Sequence, residues 1–102
     1  MKHIRPLALS LVMAVTLLTA CTGTEGRKAR YLERGQNYFT AGNLDKARIE
    51  FSNALQIDPN NAQARYYAGR IAEREVKPRD ALANYQAAID ADPEFVAAAR
   101  RR

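Results

Sequence analysis

A chain of 102 residues has room for one small domain. A single cysteine, Cys21, excludes an internal disulfide and a multi-cysteine metal site, and the only histidine, His3, stands in the segment read below as a departing leader, which removes the commonest general base. The formal charge of +5 includes Lys2 and Arg5 at the start; from Cys21 onward fourteen basic residues face eleven acidic ones, a mild excess that is no nucleic-acid footprint.

Lys2, His3 and Arg5 open the chain, and the uncharged run Leu7–Leu18 follows. A positive start, an apolar run of roughly 7–15 residues and small residues at its end describe a secretory signal peptide. A retained membrane anchor is the alternative, and it wants roughly 20 apolar residues. The run ends Leu18-Thr19-Ala20-Cys21, which resembles the bacterial lipobox. That resemblance implies that residues 1–20 leave as the leader and that Cys21 carries lipid and anchors the chain to a membrane. An unmodified cysteine after a cleaved leader is the competing reading. Thr22 stands where an aspartate would imply retention in the inner membrane, so the resemblance implies the outer membrane, facing the periplasm. Residues 22–27, with Gly23 and Gly26, read as a flexible tether, so 21–27 is expected to be lipidated cysteine plus linker.

The rest of the chain repeats. Laying residues 28–61 over 62–95 brings Gly35 onto Gly69, Ala47 onto Ala81, Phe51 onto Tyr85, Ala54 onto Ala88, Leu55 onto Ile89, Asp58 onto Asp92 and Pro59 onto Pro93, always 34 residues apart. In the first unit Tyr31, Leu32, Gly35, Tyr38 and Phe39 recur at helical spacing. Ala41-Gly42-Asn43 breaks that helix, with Gly42 suited to a left-handed C-terminal position and Asn43 to an N-cap. Leu44, Ala47, Phe51, Ala54 and Leu55 form the stripe of a second helix, which Asp58-Pro59 ends. The second unit follows the same plan, with Ala68, Gly69, Ile71 and Ala72, a turn at Lys77-Pro78, then Ala81, Tyr85, Ala88 and Ile89. Residues 96–102 lie in the start of a third unit, whose helix Asp92 caps and Pro93 begins.

A 34-residue helix–turn–helix unit with Gly35, Tyr38, Ala47, Phe51, Ala54 and Pro59, then Gly69, Ala81, Tyr85, Ala88 and Pro93, resembles the tetratricopeptide repeat. The usual tryptophan is replaced by Tyr31 and Arg65, and an expected aromatic by Ala72. The resemblance implies an all-α fold of antiparallel helix–turn–helix repeats, in which small residues let backbones approach and aromatics fill the gaps. It also implies a non-catalytic protein-interaction module, with the first helix of each unit lining a concave groove. Carried over residue by residue, the groove positions are Ala29, Leu32, Gln36, Phe39 and Thr40, then Gln63, Tyr66, Arg70, Glu73 and Arg74.

Within that groove Gln36, Phe39, Gln63, Tyr66, Arg70, Glu73 and Arg74 are the expected partner-binding residues. Arg70 and Arg74 sit one helical turn apart on one face, suited to a carboxylate on an extended peptide; solvated arginines over a packed Tyr66 are the plainer reading. Leader and repeats together look like envelope repeat lipoproteins of exopolysaccharide and PEP-CTERM (PrsT-like) systems, and are also similar to the repeat lipoproteins that pilot pilus secretins. The expected partner is a protein or peptide of the envelope. No cofactor, metal, nucleic acid or small-molecule substrate is expected, because phosphate loops, metal-spaced clusters and activated nucleophiles are missing from the sequence.

A repeat stack needs roughly three units and a polar end cap. Two units and a fragment leave the stripe of Ala81, Tyr85, Ala88 and Ile89 thinly covered. The chain therefore reads as a truncated frame of a longer protein, an accessory to a lost catalytic domain included, or as one whose stripe meets a partner or a second copy. Arg100–Arg102 read as a solvated tail, with anionic phospholipid as the alternative contact.

Overall fold

The computed structural model describes residues 5–102, with side chains from residue 23. The expected leader (1–20) and the lipidation site Cys21 lie outside the described side chains. Five helices follow in order: α1 (Arg5–Thr40), α2 (Leu44–Ile57), α3 (Ala62–Arg74), α4 (Pro78–Ala91) and α5 (Pro93–Arg100). Among the described residues there is no strand. The fold is the expected one of antiparallel helix–turn–helix repeats, with α1 and α2 forming one hairpin, α3 and α4 the next, and α3 resting on α2.

Local chemistry sets the boundaries. The Asn43 side chain accepts from the Lys46 N–H (3.2 Å), Asn61 from Ala64 N–H (2.9 Å) and Asp92 from Phe95 N–H (3.1 Å), each satisfying an orphan donor at a helix start. Helix α4 has no side-chain cap and begins on Pro78, whose ring fixes the first helical φ. Both hairpin turns close alike. Gly42 N–H donates to Phe39 C=O and Asn43 N–H to Tyr38 C=O; 34 residues on, Val76 N–H donates to Glu73 C=O and Lys77 N–H to Ala72 C=O. This paired closure requires a left-handed residue after the helix. Gly42 supplies it at φ 83°, and Val76 is forced into it at φ 57°.

The stretch 23–27, where a flexible tether is expected, is helical instead. Each of its two glycines weakens a helix by about 1 kcal/mol relative to alanine. An established helix gains one hydrogen bond per added residue, and no proline interrupts this one. Lys28 reaches back one turn to Glu25 (3.1 Å) and across to Asp58 at the end of α2 (3.4 Å).

Close approach of the helices rests on the repeated small residues. A Cβ added at Gly35 would lie 2.8 Å from the Phe51 ring, and one at Gly69 2.8 Å from the Tyr85 ring. Ala47, Ala54, Ala64 and Ala88 are wholly buried. The main core gathers Phe39, Ala47, Phe51, Ala54, Ala64 and Ile71. Tyr67 locks it across the units, stacked on Phe51 (5.1 Å, 4°) and edge-on to Phe39 (5.2 Å, 68°). Such pairs contribute about 0.5–1.5 kcal/mol each beyond the area they bury. A second cluster joins Tyr66, Ala88 and Val96, with Tyr85, Phe95 and Ala99 packed against it. Helix α5 thus covers the near end of the α4 stripe: Ala88 is buried and Tyr85 partly so, while Ile89 stays 37% exposed.

Candidate partner-binding groove

The groove lies between the second half of α1 and the facing side of α3. On α3, Gln63, Tyr66, Arg70 and Arg74 recur at spacings of three and four and share a face. Gln63 and Arg74 are eleven residues apart, a rise of about 16 Å, the length of roughly five extended residues. At one end Gln63 Nε2 donates to Gln36 Oε1 (3.2 Å), tying the two helices with an amide pair. Toward the other end the guanidinium of Arg74 lies 4.2 Å from the Phe39 ring centre, and that of Arg70 lies 4.9 Å from the same ring and 6.0 Å from Tyr66.

Phe39 and Tyr66 are buried, at 4% and 8% exposure, so they form the floor beneath the arginines. Attraction between cation and ring face contributes about 0.5–1 kcal/mol at such partly open sites and holds the long side chains in place. Among the described residues neither Arg70 nor Arg74 forms an ion pair, although Arg48 has Asp45 and Glu75 as partners. Two ordered guanidinium groups thus keep their donors for an incoming acceptor. Ala29 and Thr40 are exposed and Leu32 is half-buried against the core.

Glu73 is placed apart from the arginine pair. It lines a hollow of about 90 Å³ with Tyr66, Tyr85, Ile89, Val96 and Arg100, between α3, α4 and α5. Burial, and then the Glu73 carboxylate, hold the Tyr85 phenol well above its ordinary range, so it stays protonated. On the side of α2 and α4 lies a cleft of about 250 Å³ that sequence reasoning missed. Phe51, Leu55, Ile71 and Ala72 floor it, and the Arg48–Glu75 ion pair spans its rim. Its one legible signal was that position 48 of the first unit carries a cation while position 75 of the next carries an acid. Among the described residues no three His, Cys, Asp or Glu side chains come together in a metal-holding group.

This geometry is that of a known repeat. Residues 29–61 match the tetratricopeptide repeat. Tetratricopeptide repeats are generally non-catalytic scaffolds that mediate protein partner binding. The chain is also 29% identical over 70 residues to the type IV pilus assembly protein PilF of Pseudomonas aeruginosa, across 69% of this chain. It spans 28% of that relative's length. The tetratricopeptide match covers α2 and the adjoining part of α1, and the second hairpin repeats its glycine–aromatic contact 34 residues later.

Proposed function

We propose that this chain is a membrane-tethered, non-catalytic scaffold of the bacterial envelope whose α1–α3 groove holds an extended segment of a protein partner by a carboxylate. The observation that carries the reading is the Arg70–Arg74 pair, ordered over Phe39 and without an acidic partner among the described residues. Each hydrogen bond from a charged group contributes about 1.5–3 kcal/mol, so two arginines supply most of the affinity of a short peptide. The Gln36–Gln63 amides at the far end suit the backbone of the same segment.

The leader-like residues 1–20 and the lipobox-like Leu18-Thr19-Ala20-Cys21 support lipid anchoring at Cys21, in the outer membrane facing the periplasm. The pathway we favour is type IV pilus assembly, because the relative at 29% identity carries that name. Exopolysaccharide export rests on the look of leader and repeats alone. The deciding experiment is a deletion strain complemented with the wild-type chain or with Arg70→Gln/Arg74→Gln. Loss of surface pili, restored only by the wild type, is the expected result. A deletion strain that keeps its pili sinks the pathway, and full rescue by the double variant sinks the groove.

A further inference from the structure

The outer face of α1 carries a feature that the groove does not use. Arg27, Arg30 and Arg34 are all exposed, and at 3.6 residues per turn they fall within about 60° of one another. None of them forms an ion pair among the described residues, whereas Lys28, on another side of the helix, takes both Glu25 and Asp58. All acidic residues of the chain lie after residue 22, so the leader holds no counter-charge for this stripe. Tyr31 flanks it, with the Arg34 guanidinium 5.9 Å from its ring centre, and Tyr38 follows two turns on, half-buried. Both rings pack against the main core, so the arginines alone form the free part of this face.

We infer that this arginine face docks on anionic phospholipid, with α1 lying along the membrane surface; the inference rests on the tethered reading above. From Arg27 to Arg34 the helix rises about 10 Å, while one headgroup layer is only about 5–8 Å deep. A helix standing upright immerses at most two of the arginines, and a helix lying down engages all three. Because 23–27 is helix rather than slack linker, the stripe is held at a fixed distance from Cys21, six residues before Arg27.

The test is hydrogen exchange of the full chain on vesicles of phosphatidylcholine alone and of phosphatidylcholine mixed with phosphatidylglycerol. On the anionic vesicles residues 27–38 exchange more slowly by up to about a hundredfold at low salt, roughly fivefold for each arginine. The protection disappears at high salt and in Arg27→Gln/Arg30→Gln/Arg34→Gln, and persists in Arg100→Gln/Arg101→Gln/Arg102→Gln. Equal α1 exchange on both retained vesicle types, or protection lost only with the tail arginines, overturns the docked face alone. A chain that stays off both vesicle types overturns the tether as well.

Discussion

Val76 offers a direct measure of how much the hairpin turn demands of its left-handed residue. A side chain with a Cβ loses about 1–2 kcal/mol in that conformation, and a β-branched one sits toward the upper end. Val76 is 83% exposed, so its removal forfeits little burial. Val76→Gly relieves the strain but adds about 0.5–1 kcal/mol of chain freedom to the unfolded state. The expected net is a gain of roughly 0.5–1 kcal/mol, or about 2–8 °C in Tm for a domain of this size. Gly42→Val imposes the reverse cost at the equivalent turn, where φ is 83°. Val76→Asn falls between Val76→Gly and wild type, since asparagine tolerates this region better than valine. Thermal and urea unfolding followed by far-ultraviolet circular dichroism reads all three. A Val76→Gly chain no more stable than wild type, together with a harmless Gly42→Val, would show that these turns place no left-handed requirement on the chain.

Three further outcomes follow from the packing and the groove. Gly35→Ala forces a methyl to 2.8 Å from the Phe51 ring and is expected to lose about 1–3 kcal/mol to overpacking despite alanine's better helix propensity; a double-mutant cycle with Phe51→Leu should show coupling, and additive costs would contradict the contact. Tyr85 has a folded pKa raised above its ordinary 10.0, so the folded chain keeps a proton that the unfolded chain releases above that pH. The stability this confers is present below pH 10 and lost as pH rises beyond it, so Tyr85→Phe should flatten the alkaline fall of a denaturation series; an identical fall in both chains refutes the assignment. Arg74→Gln should cost at most about 1 kcal/mol of stability, the worth of its contact with Phe39, yet weaken an acidic peptide by tenfold or more in calorimetry; unchanged affinity would remove Arg74 from the site.

Much of the architecture was legible because repetition amplifies weak local signals. Gly35 and Phe51 alone say little, but their recurrence as Gly69 and Tyr85 fixes the register of both hairpins. The caps at Asn43 and Asp92 were readable as polar side chains before helical runs, whereas the Asn61 cap was missed. Val76 was not, since the left-handed position that glycine advertises in the first unit is filled in the second by a residue of opposite preference. Residues 23–27 misled through composition, because two glycines suggest a linker while helix propagation is decided by the neighbouring turns. At the groove the face was legible but its depth was not. Phe39 and Tyr66 lie on the expected side, yet how far they sink beneath Arg70 and Arg74 depends on inter-helix spacing, which a single helical period does not encode.

Tyr67 belongs to the second hairpin, but its ring is clasped by Phe39 and Phe51 of the first. Opening either hairpin alone therefore exposes aromatic surface on both, and neither can breathe independently at low cost. Nearest-neighbour coupling of that kind makes two short units melt in one sharp transition where weakly joined ones would fray from an end. Replacing Tyr67 by a small residue should broaden that transition, as two half-sized bodies begin to come apart in sequence.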